Sequence, residues 1–588
     1  MEKRWKYVAG VFVLIVVLAV VVALAVTLTN SGDDSDSSGS KGSNTITVKT
    51  DCGDVEGIRT KMKSGGSTVY TFRNIPYAVP PVGDLRWRPP ILLSKDKEKC
   101  WNGTLKYTQQ KIACMQPPSL ITTNTSITED CLILTIRTPK LDKHARLPVL
   151  VWIHGGSMII GHGEQDPNYY PNEETTAALN VVSVSINYRL NVFGFLSLKE
   201  LWITNGTSES YANYGVMDQI AALKWVRNNI ENFGGDPARV TVTGESGGGT
   251  AVFCLLASPL ARPLFRKAIP SSAAPIIKTS HIEADTKFRT LLNATSCNAT
   301  EARVACLQNA SAENLLTAYF YKVCAGSFSQ YNSGFPENNK LVPGCPINVI
   351  DPKVVLSNPS ELPTSISDKK DVLITNMAEE SSPIPESLGW PDHAGLTFSN
   401  WSELNATISQ KVDTFKKDFY PKLLAMYTTK SENKTNPIAF TPSKVYYVLS
   451  TDIFLSCANH DAVKAMSRLP GFTVRQLVIS QPPSIKVAGT LGVTFTNAFH
   501  GWDSYVLFMR HSETLPPFDA KLFHNVREIY KDFVHLDSKD IATKYDAPAI
   551  EFWNGTVYKW KQGYHYKECN ALRDNGFLKF AWGGEGKN

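Results

Sequence analysis

Hydrophobic residues along this chain alternate between two textures. Short, dense apolar runs such as Pro148–Ile153, Val240–Thr243 and Asp371–Thr375 have the length and composition of strands buried on both faces. Between such runs lie amphipathic stretches, for example Gln219–Asn229, with the spacing of helices packed on one side. The alternation predicts an α/β fold in which a mostly parallel central sheet is covered by helices on both faces. No repeat or second fold boundary appears between Ile46 and Phe577, so one domain is expected over residues 46–588. A segment from about 275 to 370, rich in Asn, Ser, Cys and Pro, reads as an insertion into that pattern.

One apolar stretch has neither texture. Val8–Leu28 carries no charge, and as a helix rising ~1.5 Å per residue it would span a ~30 Å hydrocarbon core. Lys3, Arg4 and Lys6 precede it, and Asp33, Asp34 and Asp36 follow. That asymmetry predicts a cytosolic tail (residues 1–7), a transmembrane signal-anchor helix (8–28) and an exported C-terminal domain. A cleaved signal peptide is the competing reading, since Ala23-Leu24-Ala25 resembles a cleavage site and would give a secreted protein. The run exceeds a usual signal core of ~7–15 residues, which favours the anchor. Residues 29–45, made of Ser, Gly, Asp and Lys in the main, read as a flexible stalk. The expectation is a single-pass type II membrane protein with its large domain extracellular. The terminal Glu585-Gly586-Lys587-Asn588 carries no retention signal, making the plasma membrane the expected destination.

Charge changes the picture little. A net charge of +6 over 588 residues, with no basic block beyond the N-terminus, implies no nucleic-acid partner. Eleven cysteines all lie beyond the apolar span, as befits an oxidising compartment. Ten Asn-x-Ser/Thr sites (Asn102, Asn124, Asn205, Asn293, Asn298, Asn309, Asn400, Asn405, Asn433 and Asn554) are expected glycosylation acceptors.

The candidate chemistry centres on Gly244-Glu245-Ser246-Gly247-Gly248, which follows the run Val240–Thr243 and precedes a helix-compatible segment, Thr250–Ala257. A strand, this pentapeptide and a helix make the pattern of a nucleophile elbow, a strained turn that exposes a serine hydroxyl. Upstream, Pro148–Ile153 runs into His154-Gly155-Gly156-Ser157, where small residues let backbone N–H groups approach a developing oxyanion. Gly156, Ser157 and Gly247 are the expected donors. Downstream, Glu379 and Glu380 follow the run Asp371–Thr375, and His500 sits on the glycine-containing loop Phe499-His500-Gly501. The order Ser246, Glu380, His500 is that of a nucleophile, acid and base triad. An ordinary imidazole would make activity rise near pH ~6.5. No cysteine or histidine spacing suits a metal, and the triad needs no metal and no cofactor.

The chain resembles the type B carboxylesterases, the carboxylesterase and cholinesterase family of the α/β-hydrolase superfamily. The resemblance rests on Phe72–Pro81, Gly83–Trp87, Glu129–Leu132, Asn187–Leu196, Asn213–Gln219 and Asn229–Pro237, leading into the elbow. It covers about residues 46–575. It implies an α/β-hydrolase fold whose insertions form a gorge, and it aligns the acid with Glu380 rather than Glu379. It also implies that Ser272 hydrogen-bonds the acid, and that Cys114–Cys131, Cys297–Cys306 and Cys457–Cys569 are disulfides. Cys52, Cys100, Cys324 and Cys345 are left as two local pairs, Cys52–Cys100 and Cys324–Cys345, of open connectivity, and Cys254 as a buried thiol. Three departures are visible: Ser157, Gly247 and Ser381 stand where the family commonly has glycine, alanine and glycine. No tryptophan lies between Met115 and Asp130, so a choline-type cation–π site is unsupported. The resemblance therefore implies a serine carboxylic ester hydrolase acting on a small-molecule ester through an acyl-enzyme. The alternative it leaves is a cholinesterase-like adhesion protein of little or no activity; a homo-oligomer or a surface protein partner is left open.

Overall fold

The structure, a computed structural model, describes residues 44–588 except 63–65, 119–121, 123, 205–206, 209–210, 274, 278, 299–301, 325–346, 383–396, 429–440, 485, 488–492, 495–496, 511–514, 554–555 and 579–588. The predicted tail and anchor and nearly all of the stalk lie outside the described residues. Among the described residues no helix is long and apolar enough to cross a membrane.

The apolar runs pair into a 13-stranded sheet. Twelve of its strands form a continuous path: β1 (Thr45–Lys49), β2 (Asp54–Lys61), β3 (Thr68–Pro76), β4 (Ile133–Thr138), β5 (Leu147–Ile153), β6 (Val182–Ile186), β7 (Gly235–Glu245), β8 (Lys267–Ser271), β9 (Lys370–Met377), β10 (Phe472–Ile479), β11 (Ala549–Trp553) and β12 (Thr556–Trp560). Their spatial order is β1-β2-β3-β4-β6-β5-β7-β8-β9-β10-β11-β12, and Thr104–Leu105 adds beside β2. From β6 to β11 every neighbour is parallel, whereas β1 to β4 and β12 pair antiparallel. The sheet is thus mixed at its edges and parallel at its centre, as helical crossovers require.

Alternation along the central strands divides the core in two. Val149, Val151, Ile153, Val240 and Val242 pack with helix α1 (Tyr214–Asn229) and helix α2 (Gly247–Ala257) on one face. Leu150, Trp152, Ile269, Leu373 and Leu477 pack on the other, against α3 (Trp502–Phe508) and α4 (Pro517–His535). The register aligns the C-terminal ends of these strands: Gly244 lies beside Ile153, Glu245 beside Ser271, and Ser271 beside Thr375. Loops leaving β5, β7, β8 and β9 therefore start along one edge, where a doubly covered sheet gathers functional groups. The expected insertion falls between β8 and β9. Its helices His281–Ala294, Arg303–Asn309 and Ala312–Ala318 build a separate apolar cluster with Trp87, Val192 and Phe193.

Disulfides Cys52–Cys100, Cys114–Cys131, Cys297–Cys306 and Cys457–Cys569 are formed, and Cys254 is free and buried. The partner expected for Cys324, Cys345, is outside the described residues. Of the ten expected acceptor asparagines, Asn102, Asn124, Asn293, Asn298, Asn309 and Asn400 are exposed. Asn405 is half-buried and accepts a hydrogen bond from Tyr420 (2.7 Å). Asn205, Asn433 and Asn554 are outside the described residues.

Candidate active site

Strand β7 ends at Glu245 and helix α2 begins at Gly247, so Ser246 alone makes the turn between them. Its backbone pays for that sharpness with φ 57° and ψ −123°, a region L-residues rarely occupy. Two backbone bonds hold it there: Ser246 N–H donates to Ser271 O (2.9 Å), and Ser246 O accepts from Thr250 N–H (3.0 Å). The helix starts three residues earlier than the apolar pattern predicts, because Ser246 serves as its N-cap position and the glycines form its first turn. The side chain is 3% exposed at the positive end of α2.

His500 and Glu380 come from loops 120 residues apart and meet with His500 Nδ1 2.6 Å from Glu380 Oε2. The other carboxylate oxygen, Oε1, accepts from Met377 N–H at 2.7 Å, fixing Glu380 against the end of β9. Glu379 points elsewhere and pairs with Lys444 (3.4 Å). Gly501, at φ 85°, lets the chain turn from His500 straight into α3. The bond from Ser272 to the acid implied by the resemblance is absent. Ser272 is fully buried at φ 48°, its N–H donates to Thr375 O, and its hydroxyl makes no hydrogen bond among the described residues.

Sequence reasoning assigned no role to two further acids here. Glu245, the last residue of β7, is fully buried; its Oε1 lies 3.3 Å from His500 Nε2, and among the described residues neither oxygen accepts a hydrogen bond. Burial holds its carboxyl well above the usual range. Asp503, in the first turn of α3, accepts from Thr375 Oγ1 (3.0 Å) and Ser504 N–H (2.8 Å). Burial, followed by the charge of Glu380, pushes it up to about 7. Burial alone would lower His500, but Glu245, Glu380 and Asp503 outweigh it and lift the imidazole to about 9. The group is a coupled cluster, in which one imidazolium offsets several carboxylates deprived of water. The signal for these acids was their adjacency: Glu245 precedes Ser246, and Asp503 follows His500 by three.

The glycine loop after β5 lies against the elbow. A Cβ on Gly155 would come 3.2 Å from Ser246 Cβ, and one on Gly247 would come 2.8 Å from Ser157 N. Gly156, Ser157 and Met158 take φ of 102°, 53° and 57°, three left-handed residues in succession. Neighbouring side chains enforce that course. Asn191 N–H donates to Met158 O (2.8 Å), its side chain donates to Ile159 O (3.0 Å), and Gln116 bonds both N–H and O of Gly161. His154 stacks on Tyr188 with centroids 4.6 Å apart and bonds Gly155 O (2.8 Å); burial drives its pKa down to about 3, so it is a neutral strut. The arrangement gathers a strained serine, a base held by a carboxylate, and a loop of small residues beside the nucleophile. That is the equipment for acyl transfer.

A model described as "Carboxylesterase family" matches residues 44–562. The chain is 36% identical to cocaine esterase of Homo sapiens over 282 residues, 45% of this chain and 48% of that protein. It is 40% identical to para-nitrobenzyl esterase of Bacillus subtilis (strain 168) over 255 residues, 42% and 49% of the two chains. The chain spans about half the length of the curated relatives it matches. A solved structure of PNB esterase covers 89% of this chain and 98% of its own, with a TM-score of 0.66 at 24% identity. A thermophilic PNB esterase gives 0.65 at 24% identity, covering 89% and 99%. Those two establish the α/β-hydrolase fold, and the family match over residues 44–562 establishes the rest: this chain belongs to the carboxylesterase family.

Proposed function

We propose that this protein is a serine carboxylic ester hydrolase acting through an acyl-enzyme. The observation that carries the reading is that His500, held at 2.6 Å by Glu380, brings its Nε2 within 3.3 Å of Glu245, the residue that enters the elbow where Ser246 is strained at φ 57°. His500 takes the Ser246 proton as the oxygen attacks an ester carbonyl, and the N–H groups of Gly156, Ser157 and Gly247 receive the oxyanion. Glu380 fixes the imidazole tautomer and stabilises the imidazolium. The proton passes to the departing alcohol, and water then repeats the sequence on the acyl group. The relatives named above are esterases, which gives no support to the adhesion alternative.

The four disulfides and six exposed acceptor asparagines among the described residues support an exported, glycosylated domain. With the uncharged run 8–28, they support a type II anchor at the plasma membrane. Rapid mixing of the full-length protein with a p-nitrophenyl ester tests the mechanism. The expected trace is a burst of one chromophore per active site followed by slower turnover, absent in Ser246→Ala. Hydrolysis unchanged in that variant would sink the proposal.

A further inference from the structure

The glycine after the nucleophile is not required by its own backbone. Gly247 sits in the first turn of α2 and shows no left-handed φ, so any residue could adopt its conformation. What excludes a side chain is the loop opposite. A Cβ on Gly247 would lie 2.7 Å from Met158 N, 2.8 Å from Ser157 N and 2.8 Å from Ser157 Cα, all backbone atoms that cannot rotate away. The loop cannot retreat easily either, because Met158 O and Ile159 O are tied to Asn191. Ser157 itself is held at φ 53°, where a residue bearing a Cβ has one narrow well.

We infer that Gly247 is a positioning residue whose missing side chain sets where the Ser157 amide points, and that positions 157 and 247 are sterically coupled. With serine at 157 the loop occupies the space a methyl on 247 would need. With glycine at 157 the backbone has a second well and can step aside with its N–H still aimed at the oxyanion. This rests on the esterase reading above and adds to it a dependence that neither residue shows alone.

The test is a double-mutant cycle on the full-length protein: Gly247→Ala, Ser157→Gly and the pair together. Gly247→Ala is expected to lower kcat about 10²-fold with KM within about threefold, as for loss of one oxyanion donor. The double variant is expected to recover kcat to within about tenfold of wild type. Melting temperature reads the steric half separately, whatever the activity: Gly247→Ala should fall by about 1–2 °C and the double variant should regain it. Wild type without ester turnover would remove the esterase reading, yet the melting cycle would still decide the coupling. Additive melting shifts in the cycle, or kcat in Gly247→Ala equal to wild type, would overturn the inference.

Discussion

Two histidine–carboxylate pairs in this molecule are nearly identical in their own geometry and opposite in their setting. His500 meets Glu380 at 2.6 Å, and His565 meets Asp452 at 2.7 Å, each through Nδ1. Each imidazole is raised to about 9 by neighbouring carboxylates against the opposing effect of burial. The difference lies in what surrounds the pair. His500 Nε2 faces Glu245, beside a strained serine and a loop of left-handed residues. His565 stacks on Tyr564 at 3.9 Å, with Glu568 and Glu551 adding charge, and Tyr427 donates to the same Asp452 oxygen (2.8 Å). It opens helix α5 (Tyr566–Asp574), whose Cys569 is bonded to Cys457 just past the turn that carries Asp452. The same pairing of imidazole and carboxylate stands beside the nucleophile elbow in one place and at the start of a disulfide-tied helix in the other. A histidine–acid contact alone therefore identifies neither.

Breaking each site should separate the two roles. The largest effect is expected from Ser246→Ala: a loss of about 10⁴-fold or more in kcat at unchanged melting temperature, measured on an ester with both wild type and variant folded. Next, Glu380→Gln should cost about 10²–10⁴-fold in kcat by releasing the imidazole tautomer. Asp452→Asn, the matching change at the clamp, should leave kcat within about threefold and instead lower the melting temperature. Equal kinetic losses from the two would erase the distinction drawn here.

The pH profile sharpens it further. An imidazole lifted to about 9 stays protonated through neutral pH, so kcat/KM should rise on an alkaline limb near 9 rather than near the ~6.5 expected of an ordinary histidine. Glu245→Gln removes a carboxylate that raises His500, and should move that limb to lower pH. A wild-type limb at 6.5 would contradict the buried acid cluster.

The smallest expected effect concerns stability. The folded pKa of His565 lies above its unfolded value of ~6.5, so its contribution is fully present below that pH and is lost as pH rises through about 9. His500 has the same sign, so only a difference isolates the clamp. His565→Gln should lower the melting temperature at pH 6 and flatten its decline between pH 6.5 and 9.5. Parallel wild-type and variant curves would assign the clamp no ionic role.

Legibility in the sequence followed contact distance. The elbow is contiguous in the chain, so strand, turn and helix can be read together; β7 and α2 form around the expected runs, with β7 longer at both ends and α2 starting three residues earlier. Chain order points to His500 and to the Glu379-Glu380 pair despite their separation, the resemblance selects Glu380, and the fold brings Glu380 to His500. Glu245 and Asp503 were overlooked because a carboxylate beside a motif reads as solvated until two buried cores close over it. Ser272 shows the reverse: resemblance implies a bond to the acid, and its hydroxyl makes none among the described residues. The coupling of Ser157 to Gly247 and the His565 clamp are juxtapositions across the fold, with no local periodicity to announce them.

The proposed chemistry requires Ser246 to be an activated nucleophile. Its most direct test is labelling of the full-length, disulfide-bonded protein with a fluorophosphonate probe, followed by peptide mass spectrometry. One adduct is expected, on Ser246, that disappears in Ser246→Ala and weakens in Glu380→Gln. A folded protein that takes no label, or takes it equally with Ser246 replaced, would contradict it.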